Sequence, residues 1–338
     1  MEPYKLFLKI ISFFLSFLQF QFFFLYPLLS FLRFRFPFQF CSGIFVTIID
    51  KFLSLYFMSC NMSPNTIELD NQTTIHFWTT NHRHIDKPNL VLIHGYGGNS
   101  RLQFLNQVKP LSESFNLYIP DLLFFGKSHT SRTDRSDVFQ AKCVREGLKK
   151  LGLEKYNLAG LSYGGYVAYQ MGDGYGDEVE KVVIVSCGLC YTEEQKKESK
   201  EKFGKLFKLL LPEKPEHAKE MMKLAIYKTN RIIWLPDFVH WDFINAMTHN
   251  RRKEKLELLE HLLSKKAEAE LPILTQETLL IWGDQDNIFP VFLAHQLHRH
   301  LGAKSRVEII KDTGHAANIE SPAAVNSLIT SFVLGAQS

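Results

Sequence analysis

Six short, mostly apolar runs, with helical stretches between them, set the frame for what this chain can fold into. They are Leu90–Ile93, Phe115–Ile119, Tyr156–Leu161, Val182–Ser186, Thr278–Trp282 and Arg306–Ile310. Runs this short, the first stopped by glycines and the second by Pro120-Asp121, read as strands buried on both faces. Val138–Leu151 and the segment from Tyr166–Met171 onward read as helices. Strands alternating with helices build a parallel sheet covered on both sides. Ahead of them, Asn65–Leu69 and Thr73–Thr79 flank Asp70-Asn71-Gln72 and predict a hairpin. The 338 residues suffice for one large domain of this kind.

The alternation fails between about Tyr191 and Gln276, where Lys, Glu and Leu dominate and no strand is evident. Its place, between the fourth parallel strand and the Thr278 strand, predicts an inserted helical cap over about 191–276. Within it, Lys196–Leu211 carries a lysine-rich face and sets Phe203, Leu206, Phe207 and Leu210 at helical spacing. Such a helix can lie on a membrane surface; packing of its apolar stripe on the core is the simpler expectation.

Residues 1–60 form a separate block that holds much of the chain's phenylalanine. Ile10–Leu32 carries no charge and is long enough to span a bilayer, which takes about 20 apolar residues. Lys5 and Lys9 precede it and Arg33 and Arg35 follow it, so flanking charge selects no orientation. A cleaved signal peptide usually has a shorter apolar core. The block is expected to be a membrane anchor or targeting segment ahead of a body spanning 61–338, with the body on the cytosolic side. A glycan at the Asn71-Gln72-Thr73 sequon would place the body in a lumen instead. Five cysteines, an odd number, make no disulfide framework. Cys187-Gly188-Leu189-Cys190 has C-x-x-C form, but it follows a strand directly and reads as a buried strand end plus a loop cysteine. A net charge of +4 gives no reason to expect nucleic acid as a partner.

Gly160-Leu161-Ser162-Tyr163-Gly164 fits G-x-S-x-G between an apolar strand and a helix, the context required of a nucleophile elbow. A serine hydroxyl needs a base to take its proton. In this arrangement the acid and then the histidine follow the serine along the chain. His315, in Asp312-Thr313-Gly314-His315 after the last strand, fits the base. Gly283-Asp284-Gln285-Asp286, after Thr278–Trp282, supplies two candidate acids. Asp286 is favoured because Ile288 and Phe289 can bury that part of the loop and Pro290 can stiffen it. Asp284, beside Gly283, reads as a turn cap. Two backbone N–H groups must face the oxyanion of acyl transfer. Tyr163, after the serine, is the first candidate. Tyr96, in His94-Gly95-Tyr96-Gly97-Gly98, is the second, with Gly97 as its alternative. His94 is expected to shape that loop. No metal or cofactor is called for.

Together, His94-Gly95-x-Gly97-Gly98, Gly160-x-Ser162-x-Gly164-Gly165, Trp282-Gly283-x-x-Asp286 and Gly314-His315 resemble the α/β-hydrolase superfamily. More narrowly, the chain resembles plant members similar to monoacylglycerol lipases and meta-cleavage C–C bond hydrolases. The resemblance covers roughly Asn65 to Leu334. It implies an α/β-hydrolase fold: a mostly parallel eight-stranded sheet, helices on both faces, and a helical cap over the serine. It also implies Ser162 as nucleophile, Asp286 as acid and His315 as base. One departure is visible: where the family loop often reads D-L-x-G-x-G-x-S, residues 121–128 read DLLFFGKS, and Phe124 replaces a glycine. The usual conformation of that loop is thereby in doubt.

The expected activity is hydrolysis of a carboxylic or lipid ester through an acyl-enzyme. A hormone-type receptor on the same scaffold and a C–C bond hydrolase using the same serine remain as alternatives. Dehalogenase and epoxide hydrolase chemistry is disfavoured, because those relatives carry aspartate where this chain has Ser162.

Overall fold

A computed structural model of the protein describes residues 44–228, 237–264 and 271–335. The Ile10–Leu32 run lies outside the described residues. Among the described residues no helix is long and apolar enough to cross a membrane.

The hairpin forms from β1 (Met62–Glu68) and β2 (Thr73–Thr80). Its turn is fixed by the Asp70 carboxylate, which accepts from the Gln72 N–H at 2.8 Å. Next come β3 (Asn89–Ile93), β4 (Asn116–Asp121), the two-residue β5 (His129–Thr130), β6 (Tyr156–Leu161), β7 (Val179–Val185), β8 (Glu277–Gly283) and β9 (Ser305–Ile310). Eight strands run β1-β2-β4-β3-β6-β7-β8-β9 across the sheet, and β5 pairs with β2 as a ninth. Pairing is parallel from β4 through β9 and antiparallel wherever β2 takes part.

Side chains alternate across the sheet, as the two-residue period of a strand demands. Val91, Ile93, Val182 and Ile184 face one core. That core is closed by α4 (Asp137–Lys150) and α5 (Tyr163–Gly174). Leu90, Leu92, Val183 and Val185 face the other. Ser136 caps α4 by accepting from the Phe139 N–H. The second core is covered by α1 (Ile44–Ser59) and α12 (Pro322–Leu334), with the short α2 (Ser100–Gln103), α3 (Val108–Ser112) and α11 (Ala317–Glu320) beside them. A further helix, α10 (Phe292–Leu301), lies between β8 and β9.

The position of α1 shows that the compositional break at residue 60 is not a break in packing. Phe57 is fully buried, with its ring edge-on to Trp78 at 5.3 Å. The buried Arg101 reaches back to the Asp50 carboxylate and the Ser54 hydroxyl. The end of the Phe-rich block is therefore part of the folded body, held by the same core residues as its neighbours.

In the cap, α6 (Glu193–Leu210), α7 (Pro215–Ala225), α8 (Asp237–Phe243), a π-helical turn (Ile244–His249) and α9 (Arg252–Ser264) follow β7, and no strand occurs among the described residues of this stretch. Leu206 and Leu209 of α6 are buried. Leu206 packs with Tyr191, Ile288 and Phe289. On this face the helix packs on the body, as its apolar stripe predicts. The side chains of Phe203 and Phe207 lie outside the described ones. Asp242 of α8 accepts from the Val46 N–H of α1 at 2.6 Å, which ties the cap to the first helix.

Candidate active site

Ligands of open α/β sheets bind beyond the carboxyl ends of the strands. The residues singled out from the sequence sit there, on loops after β3, β6, β8 and β9. Ser162 follows β6 directly and has φ 52° and ψ −115°, a region that L-residues rarely occupy. Such a turn is sterically possible because of its neighbours. A Cβ on Gly160 would overlap the Gly164 carbonyl, and one on Gly164 would overlap the Ile93 carbonyl. The elbow thus drives β6, α5 and β3 into backbone contact and lifts Ser162 Oγ above them.

His315 and Asp286 complete a chain of hydrogen bonds. His315 Nε2 lies 2.9 Å from Ser162 Oγ. His315 Nδ1 lies 2.9 Å from Asp286 Oδ2. The Asp286 carboxylate accepts only, so Nδ1 carries the ring proton and Nε2 is left as the acceptor facing the serine. Asp286 is held by its second oxygen, which accepts from the Ile288 and Phe289 N–H groups at 2.8 Å each. The Phe289 carbonyl accepts in turn from the Trp282 indole at 2.7 Å. Both His315 and Asp286 are buried, and the Phe289 ring stands edge-on to His315 at 5.5 Å.

Asp284 sits elsewhere. It accepts from the Thr313 N–H at 3.2 Å, while the Gln285 N–H donates to the Thr313 carbonyl at 2.9 Å. These bonds zip the β8 and β9 loops together. Asp284 therefore braces the loop that carries His315 and does not touch the histidine ring among its hydrogen bonds.

The two oxyanion candidates face each other. Tyr163 opens α5, so its N–H has no partner within the helix. Tyr96 follows Gly95, which lies so close to Ser162 that a Cβ there would fall 3.1 Å from Ser162 Cβ. No backbone carbonyl among the described residues accepts from the Tyr96 N–H. The Tyr96 and Tyr163 rings meet edge-on at 6.2 Å. Gly97, the alternative, has φ 87° and serves the turn itself. His94 is fully buried; its Nε2 accepts from the Leu122 N–H at 2.9 Å. Burial lowers its pKa, which favours the neutral ring that such acceptance needs.

The loop carrying Phe124 keeps the shape that glycine would allow. Phe124 sits at φ 75°. The surrounding bonds overdetermine that strain. Gln140 bonds both the N–H and the carbonyl of Leu123, and the Phe124 N–H donates to the Ser128 carbonyl. Arg135 lies over the Phe124 ring at 4.5 Å. The next residue, Phe125, then packs edge-on to His94 and Tyr96 at 5.3 and 5.2 Å. At the root of the loop, Asp121 accepts from the N–H and hydroxyl of Ser100, with His76 Nδ1 3.1 Å away. Burial alone would raise the Asp121 pKa; the hydrogen bonds that His76 and Ser100 give it hold it well below the usual carboxylate range.

Sequence reasoning missed four residues around this site. Gln103 bonds Gly95. Glu320 accepts from the N–H groups of Gly314, Tyr227 and Lys228, joining the His315 loop to the cap. Lys255 of α9 is buried, donates to the Met247 and Asn250 carbonyls, and accepts the Tyr96 hydroxyl on its own carbonyl. Gln140 clamps the Phe124 loop. None lies in a motif, and each acts on backbone that no sequence pattern links to it. Cys187 and Cys190 are both buried and no disulfide joins them.

A profile of the α/β-hydrolase fold family matches residues 88–322, and the chain belongs to that family. Within it, the chain is 27% identical to monoacylglycerol lipase ABHD6 of Mus musculus over 259 residues, 73% of this chain and 76% of that protein. It is 26% identical to Lipase 3 of Moraxella sp. (strain TA144) over 238 residues, 69% of this chain and 73% of that one. Among solved structures, a membrane phospholipase A described as a bacterial virulence factor superposes with a TM-score of 0.73 at 21% identity, over 92% of this chain and 98% of that chain. That likeness is one of fold.

Proposed function

We propose that this protein is a serine hydrolase cleaving lipid esters, with Ser162 as nucleophile, His315 as general base and acid, and Asp286 as the acid that orients the histidine. The observation that carries the reading is the unbroken relay from Ser162 Oγ through His315 to Asp286, at 2.9 Å on each side of the ring. Kinship with proteins named as lipases supports an ester, and supports a lipid ester of the monoacylglycerol type as the first substrate to try.

In this reading His315 Nε2 takes the Ser162 proton as Oγ bonds to the ester carbon, and the carbonyl electron pair moves onto oxygen. The Tyr96 and Tyr163 N–H groups receive that oxyanion. The intermediate collapses, and the leaving alkoxide takes the proton from Nε2. Water then attacks the acyl-enzyme by the same route and releases the acid. Asp286 stays ionised and stabilises the imidazolium.

The part of residues 1–60 that precedes α1 is the proposed means of membrane association, with the body on the cytosolic side. The support is the uncharged Ile10–Leu32 run.

The test is turnover of monoacylglycerols and short aryl esters by the protein and by Ser162→Ala. Losing the nucleophile of a comparable triad costs about 10⁶ in kcat. A loss on that scale is expected on every ester that the protein cleaves. Turnover by Ser162→Ala within tenfold of the parent would overturn the assignment.

A further inference from the structure

Gly95 is gripped at both of its polar groups by one side chain. Its N–H donates to Gln103 Oε1 at 2.7 Å, and Gln103 Nε2 donates back to its carbonyl at 2.9 Å. The same carbonyl lies 2.7 Å from His94 Nδ1. Because Nε2 of His94 accepts from Leu122, Nδ1 carries the proton and donates here. Gln103 is itself fixed: its own carbonyl accepts from Asn318 Nδ2 at 2.6 Å. Asn318 lies three residues beyond His315 and is buried, as is Gln103.

The consequence follows from peptide geometry. In a trans peptide the carbonyl of one residue and the N–H of the next point in opposite directions. No peptide of the described chain is cis. Two donors that draw the Gly95 carbonyl inward therefore turn the Tyr96 N–H outward. A loop containing Gly97 and Gly98 at φ 87° and 145° could otherwise rotate this peptide freely.

We propose that Gln103 is the positioning residue of the oxyanion site, its amide holding the Gly95–Tyr96 peptide so that the Tyr96 N–H faces the developing oxyanion, with Asn318 tying that clamp to the segment after the base. This rests on the reading of Ser162 and Tyr96 given above. Only an amide suits the position at neutral pH, since it must accept from one backbone group and donate to the other. A carboxylate could do the first alone, and a protonated carboxylic acid could do both.

The test compares Gln103→Leu, Gln103→Glu and a control, Asn326→Leu, in the full chain. Asn326 makes a buried bond of the same kind, to the Asn106 carbonyl at 3.0 Å, but does not reach Gly95. Loss of one oxyanion donor costs ~10²–10³ in rate. Gln103→Leu is expected to lose roughly a hundredfold in kcat with KM within threefold, and to slow fluorophosphonate labelling in the same proportion. Asn326→Leu is expected to lower the melting temperature comparably while kcat stays within threefold. Gln103→Glu, assayed as a ratio to the parent at each pH, is expected to recover activity as pH falls from 8 to 5.5 and its carboxyl gains a proton. A kcat change in Gln103→Leu no larger than in the control, or a Gln103→Glu ratio flat with pH, overturns the clamp. Should Gln103→Leu fail to fold, the Gln103→Glu pH profile alone decides. If the parent protein takes no fluorophosphonate label, the reading of Ser162 fails first and the clamp falls with it. A labelled parent with unaffected Gln103 variants sinks the clamp alone.

Discussion

At the scale of single residues, the loop after β8 separates two aspartates by what each touches. Asp286 meets the His315 ring, and Asp284 meets the Thr313 backbone. Amide substitutions change charge with little change in shape, so they isolate the two roles. In the well-studied triad the change of acid to amide costs about 10⁴ in kcat. Asp286→Asn is expected to approach that loss while staying folded. Asp284→Asn should lose about tenfold, or ~1.4 kcal/mol, through a loosened His315 loop. Reversed results would make Asp284 the acid. A second residue sets a pH dependence. Burial, with the charge of Arg251 adding to it, pushes the Lys255 ammonium down to about 8. An unfolded lysine holds its proton to about pH 10.4. Between pH 8 and 10 the unfolded chain therefore binds more protons than the native one, and this group's contribution to stability rises with pH. The melting temperature of the parent should gain on that of Lys255→Met across this interval. An offset constant with pH would show that Lys255 keeps its proton in the fold.

At the scale of elements, α1 carries the clearest energetic prediction. Leu53 and Phe57 are buried against the body, and full burial of such a side chain is worth roughly 1.5–3 kcal/mol. A chain starting at Met62 should unfold at distinctly lower denaturant than one starting at Ser42. Equal midpoints would mean that α1 contributes nothing. This helix was illegible in the sequence because the run Ile44–Ser59 continues the apolar composition of residues before it, so nothing marks where packing begins. The central strands were legible for the opposite reason: β3, β4, β6, β7 and β8 are short, mostly buried apolar runs that stop abruptly. The β9 run was expected to be buried on both faces, but as the last strand of the sheet it is half-buried, with Ile309 exposed. The helix after the elbow begins at Tyr163, three residues earlier than its spacing suggests. The positive φ of Ser162 completes the turn by itself, so the helix starts at the next residue.

At the scale of the whole molecule, the motif residues Ser162, Asp286 and His315 come together from three loops, as their order along the chain implies. The scaffold that holds them was not legible. Gln103, Glu320 and Lys255 act through backbone groups, and a side chain that bonds backbone leaves no pattern of its own. The doubt raised by Phe124 resolved the same way: Gln140, Ser128 and Arg135 hold a phenylalanine where glycine is usual. The proposed membrane association through the residues ahead of α1 is also a whole-molecule property. The full chain should pellet with membranes after a carbonate wash, and a chain starting at Ser42 should stay in the supernatant; identical partitioning would refute the anchor.

The central claim is that Ser162 is the nucleophile, and the most direct measurement is the mass-spectrometric location of a fluorophosphonate adduct on the intact protein. The account predicts one adduct, on the peptide containing Ser162, and none on Ser162→Ala. An adduct on another residue, or equal labelling of the two proteins, would contradict it.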